Sequence, residues 1–314
     1  MRSHKEYNMS SVKGLVTLET KSSILKETLT PRLLEGKREY CEVKFYDFDS
    51  VYFKVVVDAN TPNIVKVCMS TPDWKALAKY GAKKKLDSLF PGMGTDPDTG
   101  FDCAVEFDCD SLADPAETLE DLCNLRMHVL GAPIDAAFDS VMNGPGGNGE
   151  VQAIDYRSQG SMYVIPKTDR MLVIISIDFP DVTDYSISKV FLQEFVEAQR
   201  VVRNATTPTV TFSKDPPSEL NSLGLASSEQ TVGFILFQFL KTGMNDGSRK
   251  RAVSLLSQFR TYLHYHIKAS KTYLHMRMRK RVNNWLQILN RAKPEYKDES
   301  KVGQKTASGK TFKR

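Results

Sequence analysis
The chain has no Cys-x-x-Cys pair, and its five cysteines (Cys41, Cys68, Cys103, Cys109 and Cys123) are odd in number. A disulfide framework is therefore not expected; these residues read as reduced, small apolar side chains of a cytosolic protein. No stretch reaches 18 uncharged apolar residues, and no apolar signal region opens the sequence. Neither a membrane span nor secretion is expected, and the protein reads as soluble and intracellular. No Gly-x-Ser-x-Gly occurs, and no cysteine has an identifiable histidine partner, so nucleophilic catalysis has no signature. The absence with the largest consequence lies near the end. Residues 247–294 contain twelve Lys and Arg and not one Asp or Glu.

That basic stretch also carries the strongest periodicity. Leu256, Leu263, Ile267, Leu274, Met278, Val282, Trp285 and Leu289 recur mostly at steps of three, four or seven, which lays one apolar stripe along a helix. Leu255, Phe259, Tyr262, Ala269, Tyr273 and Met276 widen it. Ser248 is the expected N-cap, and Pro294 the stop. A single helix of about 45 residues would be near 70 Å long, so part of it should project or lie against another chain.

The net charge of +5 averages two unlike regions. Residues 244–314 hold 18 Lys and Arg against 4 Asp and Glu, while residues 1–243 hold 25 against 34. A basic C-terminal third points to an acidic partner.

Residues 1–13 are polar and aperiodic and read as a disordered extension. Leu15-Val16-Thr17-Leu18 suggests a short strand, and 22–35 a helix interrupted or restarted at Pro31. Strands are expected at Glu42–Asp47, Ser50–Asp58 and Asn63–Met69, with turns at Asp47-Phe48-Asp49-Ser50 and Asn60-Thr61-Pro62-Asn63. A helix should run from Pro72 to about Phe90, a strand over Phe101–Asp108, and a helix from Asp114-Pro115 to about Val129. Gly131-Ala132-Pro133 should break it before another helix at 134–142. Asn143–Gly149 holds four glycines in seven residues and reads as a flexible linker. Beyond it the pattern repeats: strands at Val151–Tyr156, Ser161–Pro166 and Met171–Phe179, a helix at Tyr185–Arg203, and strands at Thr209–Phe212 and Val232–Phe239. Connections between strands are too short for crossovers, so the sheets should be mostly antiparallel. The expected fold is α+β: two similar α/β domains plus a long C-terminal helix. The boundaries are 14–143, a linker at 144–149, 150–243, the helix at 244–294 and a basic tail at 295–314.

Other candidate chemistry fails on geometry. His264 and His266 point about 200° apart on a helix, and His275 sits roughly 16 Å from His264 along the axis, so neither pair can chelate a metal alone. Asp102, Asp108 and Asp110 lack calcium-loop spacing. Ser308-Gly309-Lys310-Thr311 resembles the end of a phosphate loop, but Gln304 stands where glycine is required. No cofactor and no enzymatic activity are expected. On residues alone, two classes remain: an assembly subunit using the long helix as an interface, or a nucleic-acid-binding module laying that helix in a groove. The aromatics of the helix lie largely within the apolar rows, which suits packing better than base stacking.

Several blocks carry a resemblance. They are Lys189-Val190-Phe191-Leu192-Gln193-Glu194-Phe195, Thr207–Pro217 (TPTVTFSKDPP), Tyr262–Lys271 (YLHYHIKASK), His275–Arg279 (HMRMR), Leu289–Pro294 (LNRAKP) and Gly309-Lys310-Thr311-Phe312. Val43–Val51 (VKFYDFDSV) adds a weaker N-terminal piece. Together they resemble the family of subunit 2 of the actin-related protein 2/3 complex, strongly over 185–314 and colinearly over 14–180. The resemblance implies two related α/β domains and a long helix that pairs with the complex's subunit 4. It implies further contacts with other subunits, including the two actin-related proteins, and with the side of a mother actin filament in the cytoplasm. It implies no catalysis, no nucleic acid and no membrane span. The matching blocks place Arg277, Arg279, Arg291 and Lys293 at the filament, with Lys280 and Arg281 continuing the basic face. The row from Leu256 to Leu289 is expected to pack on the second domain at one end and on subunit 4 at the other. Residues 1–13 and the glycine linker depart from the family pattern.

Overall fold
The computed structural model describes residues 18–155, 160–201, 207–225 and 230–292. The whole extension 1–13, the expected strand near Leu15 apart from Leu18, Lys293, Pro294 and the tail with Ser308–Thr311 lie outside the described residues. Residues up to Lys268 form one compact unit and residues from Ala269 onward a second.

Helix α1 (Ser23–Leu33) begins at Ser22, whose hydroxyl accepts from the Leu25 N–H, and it runs straight through Pro31. Proline has no N–H, so the Glu27 carbonyl lacks a donor from residue 31, but only two helical residues follow and no restart occurs. Strands β1 (Cys41–Tyr46), β2 (Tyr52–Val57) and β3 (Ile64–Ser70) follow. Helices α2 (Trp74–Lys79) and α3 (Ala82–Leu89) replace the single helix expected there. Gly81, at φ +121°, separates them, a conformation that ends a helix. Strands β4 (Gly94–Thr95) and β5 (Cys103–Asp108) complete a five-stranded antiparallel sheet ordered β1-β2-β3-β5-β4.

Helices α4 (Pro115–Cys123) and α5 (Leu125–Met142) meet at Asn124. The break expected at Gly131-Ala132-Pro133 does not occur; α5 continues through all three. Gly131 serves close packing instead, since a Cβ there would lie 2.6 Å from Val253 Cγ1. Burial of α5 over residues 129–134 holds the helix against the local cost of glycine and proline.

The second sheet contains β6 (Gln152–Asp155), β7 (Ser161–Pro166), β8 (Arg170–Asp178), β9 (Thr209–Ser213) and β10 (Thr231–Leu240), ordered β6-β7-β8-β10-β9 and again antiparallel. Helix α6 (Val182–Val201) precedes β9. The strand orders of the two sheets are the same relative to chain order. This is the α+β architecture expected, with an antiparallel sheet in each half. In β2 the burial alternates, so one face of the first sheet is inside. In β7 and β8 it does not alternate, because the second sheet is covered on both faces. Val164, Val173 and Phe237 join the main core, while Tyr163, Ile174 and Phe234 pack under Leu220.

Of the four glycines expected to be a flexible linker, Gly144, Gly146 and Gly147 closely approach neighbouring backbone. The Gly149 N–H donates to the Pro166 carbonyl at 2.9 Å. A Cβ on Gly147 would lie 2.2 Å from that same oxygen, whereas one on Gly149 would meet nothing within 4 Å. Gly147→Ala should therefore cost about 1–3 kcal/mol through steric overlap. Gly149→Ala should cost only the penalty of its φ of +79°, about 1 kcal/mol. Thermal unfolding of the two variants side by side measures this; equal midpoints would remove the close approach as the reason for glycine.

Candidate functional site
The C-terminal basic segment is two helices, not one. Helix α7 (Asp246–Ser257) is capped by Asn245, with Ser248 at the third helical position instead of the cap. The Asn245 side chain accepts from the Ser248 N–H at 2.9 Å, and the Ser248 hydroxyl accepts from the Asn245 N–H at 2.8 Å. Helix α8 (Phe259–Ala292) starts after Gln258, whose φ of −122° and ψ of 8° interrupt the first helix.

Three cations of this segment are paired with acids far away in sequence. Arg249 of α7 bonds Asp135 of α5 and reaches Asp139 at 3.4 Å, and Lys85 of α3 shares Asp135 at 3.0 Å. The two cations hold the Asp135 carboxyl below its ordinary range, against its burial. Arg260 donates to Asp49 at 2.8 Å, and Thr261 Oγ1 donates to the same oxygen at 2.7 Å. Arg126 of α5 lies 3.6 Å from the other Asp49 oxygen and 3.3 Å from Asp47. Lys268 pairs with Asp184 at the start of α6. For Arg249, Arg260 and Lys268 the acidic partner that the basic C-terminal third points to lies within the chain itself. Their counterions come from elements folded beside them.

The first part of α8 is a core element. Phe259 packs on Phe195 and Phe237 at 5.6 and 5.2 Å between ring centroids. Leu263 and Ile267 are fully buried, as is Leu256 at the end of α7, almost completely. His264 lies on the Phe179 ring at 4.5 Å and His266 on Phe191 at 5.6 Å. Burial, then the charges of Arg260 and Lys268, push the His264 pKa down to about 4. His128, buried in α5, is likewise pushed down to about 4. Unfolded histidine titrates near 6.5, so between about pH 6.5 and 4 the unfolded chain binds protons that the folded chain refuses. Stability should thus fall as pH falls through that window. His264→Phe should flatten the dependence of the urea midpoint on pH there; an unchanged slope would exclude His264 as a contributor.

From Ala269 onward, in the second unit, the picture inverts. Leu274, Met278, Val282, Trp285 and Leu289 continue the stripe at helical spacing, but all are exposed, Leu274 by 47% and Trp285 by 59%. Tyr273, Met276, Leu286 and Ile288 are exposed too. Over about 22 Å of helix axis this makes an apolar surface that a soluble monomer rarely presents. The eight residues of the sequence row are therefore divided. Leu256, Leu263 and Ile267 serve the chain's own core, and five remain available to another molecule.

The basic residues do not share one face. At 100° per residue, Lys280 and Arg291 lie about 20° apart, on the side opposite the apolar stripe. Arg279 borders the stripe on one flank. Arg277 and Arg281 border it on the other, stacked over the Tyr273 and Trp285 rings at 5.6 and 5.5 Å. All five are exposed, and among the described residues none of them forms an ion pair.

Among the described residues no group of three His, Cys, Asp or Glu side chains is placed to hold a metal. Asp102 accepts from Ser70 and Thr71, Asp108 from the Asp110 N–H, and Asp110 pairs with Arg38. Burial raises the Cys68, Cys109 and Cys123 thiols and pushes Cys103 up to about 12, so none is poised as a nucleophile. No described helix is long and apolar enough to cross a membrane.

Sequence reasoning missed the Asp49–Arg126–Arg260 cluster. Asp47-Phe48-Asp49-Ser50 reads only as a turn, and only the opposite net charges of the two regions hint that the chain neutralises part of its own basic segment.

Comparison with known proteins gives these surfaces a context. The family described as "Arp2/3 complex, 34 kD subunit p34-Arc" matches residues 67–296. Actin-related protein 2/3 complex subunit 2 of Schizosaccharomyces pombe is 30% identical over 321 aligned residues, covering 96% of this chain and the whole of that protein. Its counterpart in Dictyostelium discoideum is 33% identical over 302, covering 95% of this chain and 99% of that one. With the match spanning both sheets and α8, the chain belongs to the p34-Arc family, the 34 kD subunits of the Arp2/3 complex.

Proposed function
We propose that this chain is a non-catalytic scaffold subunit of the actin-related protein 2/3 complex. It pairs with subunit 4 through the exposed apolar stripe of α8, supports the two actin-related subunits, and meets the side of the mother filament through the basic residues of the same helix. Its place is the actin cytoskeleton, in the nucleation of branched filaments. The observation that carries the reading is the five-residue apolar row from Leu274 to Leu289, exposed in this chain and continuous in spacing with a buried one. Such a row is an interface waiting for its other half. The matching strand orders of the two sheets support a division at 14–143, a linker at 144–149, 150–243, the helix at 244–294 and a tail at 295–314.

Helix geometry refines the filament side of this proposal. A partner seated on the apolar stripe would cover or crowd Arg277 and Arg281, whose stems already lie on Tyr273 and Trp285. Lys280 and Arg291, opposite the stripe, stay accessible to an acidic filament surface; Arg279 and Lys293 complete the set. Each rim charge is worth at most about 1 kcal/mol, so reversal must be tested in pairs. Lys280→Glu with Arg291→Glu should weaken co-sedimentation of the assembled complex with actin filaments about tenfold at low salt, leaving assembly intact. Filament binding indistinguishable from the unmodified complex would remove this face from the contact.

A further inference from the structure
A groove unrelated to α8 opens on the first half of the molecule, between α2, α3 and the strands β4 and β5. Its volume is about 780 Å³, within the range of sites that bind small ligands or a few residues of peptide. Trp74, Leu86 and Phe90 form its apolar floor. All three also pack against the core, so the floor is held in place rather than formed on demand.

The rim has a definite sign. Asp87, Asp96 and Asp102 line the groove, against one cation, Lys83. Among the described residues, Asp87 and Asp96 pair with no Lys or Arg. Asp102 is oriented by the Ser70 hydroxyl and the Thr71 N–H, which donate at 2.8 and 2.7 Å to the same carboxylate oxygen, Oδ2. Its other oxygen remains for a further donor. Asp98, in the loop between β4 and β5, is by contrast neutralised: it receives Lys54 at 2.5 Å and Lys66 at 2.8 Å. The contrast places carboxylates without a paired Lys or Arg around a groove with an apolar floor.

We infer that this groove docks an extended segment of a partner protein in which an aromatic or aliphatic side chain is flanked by Lys or Arg. The apolar side chain fills the space over Trp74 and Phe90. The flanking cations reach Asp87, Asp96 and the free oxygen of Asp102. An anionic ligand would face three carboxylates, and a purely polar cation would leave the apolar floor wet; neither matches both features.

Three blocked peptides test this on the full-length chain, each carrying a diazirine photo-crosslinker: acetyl-Arg-Phe-Lys-amide, acetyl-Glu-Phe-Glu-amide and acetyl-Arg-Gly-Lys-amide. The first should label residues 74–105 saturably, as mapped by mass spectrometry of the digest. The other two should label that region at least tenfold less. Asp87→Lys with Asp96→Lys should abolish the labelling. Ala78→Trp, which fills the groove without touching the rim charges, should abolish it independently. Circular dichroism should show that both variants keep their fold; were one to lose it, the other decides. Equal labelling by the glutamate peptide, or by the glycine peptide, would reduce the groove to an unspecific apolar or acidic surface and overturn the proposal. So would no labelling, or labelling that survives both variants.

Discussion
Replacing Asp49 by alanine is expected to destabilise the fold by about 3–5 kcal/mol, the scale for removing one partner of a buried ion pair. The side chain is only 2% exposed, and the guanidiniums of Arg126 and Arg260 facing it are 4% and 8% exposed. Without the carboxylate, two desolvated cations would be left facing each other. Arg126 keeps Asp47 at 3.3 Å and lies over the Phe48 ring, whereas Arg260 loses the acid with which it is paired here. Asp49 sits at φ +59°, ψ 28°, so alanine adds strain that charge alone does not explain. Asp49→Asn separates the two effects, because asparagine tolerates that conformation and keeps an acceptor for Thr261. Urea unfolding of the chain, or of the complex that contains it, reads the difference. A loss of less than about 1 kcal/mol in Asp49→Ala would show that the cluster is satisfied another way. The same cluster connects the β1–β2 turn, α5 and the start of α8, so the orientation of α8 at its root depends on it.

The second large effect is on assembly. Met278→Glu combined with Trp285→Glu should lower the affinity for subunit 4 about a thousandfold. Truncating interface anchors typically costs about 2 kcal/mol each, and about 1.4 kcal/mol is a factor of ten. Both residues are exposed in this chain, so its own urea midpoint should barely move. Leu263→Ala gives the opposite pattern. That side chain is fully buried on the core side of α8, so the change should cost about 2–5 kcal/mol of folding stability. Co-expression with tagged subunit 4, followed by affinity capture, measures the first; unfolding curves measure the second. Capture undiminished in the double glutamate variant would refute the α8 stripe as the interface.

Leu256, Leu263 and Ile267, which are buried in the chain's own core, carry a general lesson about reading helices. Their spacing is indistinguishable from that of Leu274 or Leu289. Periodicity reports that a face is apolar; it does not report what covers it. The same limit explains the basic residues. Arg249 and Arg279 look alike in a stretch without acids, yet one is bound to Asp135 and the other is exposed without an ion pair among the described residues.

Alternation of apolar residues, short connections and turn chemistry determined every described strand except the two-residue β4, and with them the antiparallel sheets, because these depend on local steric preferences and a period of two. Helical spacing likewise determined that the C-terminal segment is apolar along one side and basic around the rest. The tertiary structure decided where breaks fall. Burial of α5 carried it through Gly131 and Pro133, while Gln258, which no sequence rule marks, divides α7 from α8. It also decided which cations are neutralised, since Asp49, Asp135 and Asp184 lie 84 to 211 residues from Arg260, Arg249 and Lys268, the basic groups of α7 and α8 that they meet. Coulomb attraction acts through space, and only the folded chain brings those charges within reach.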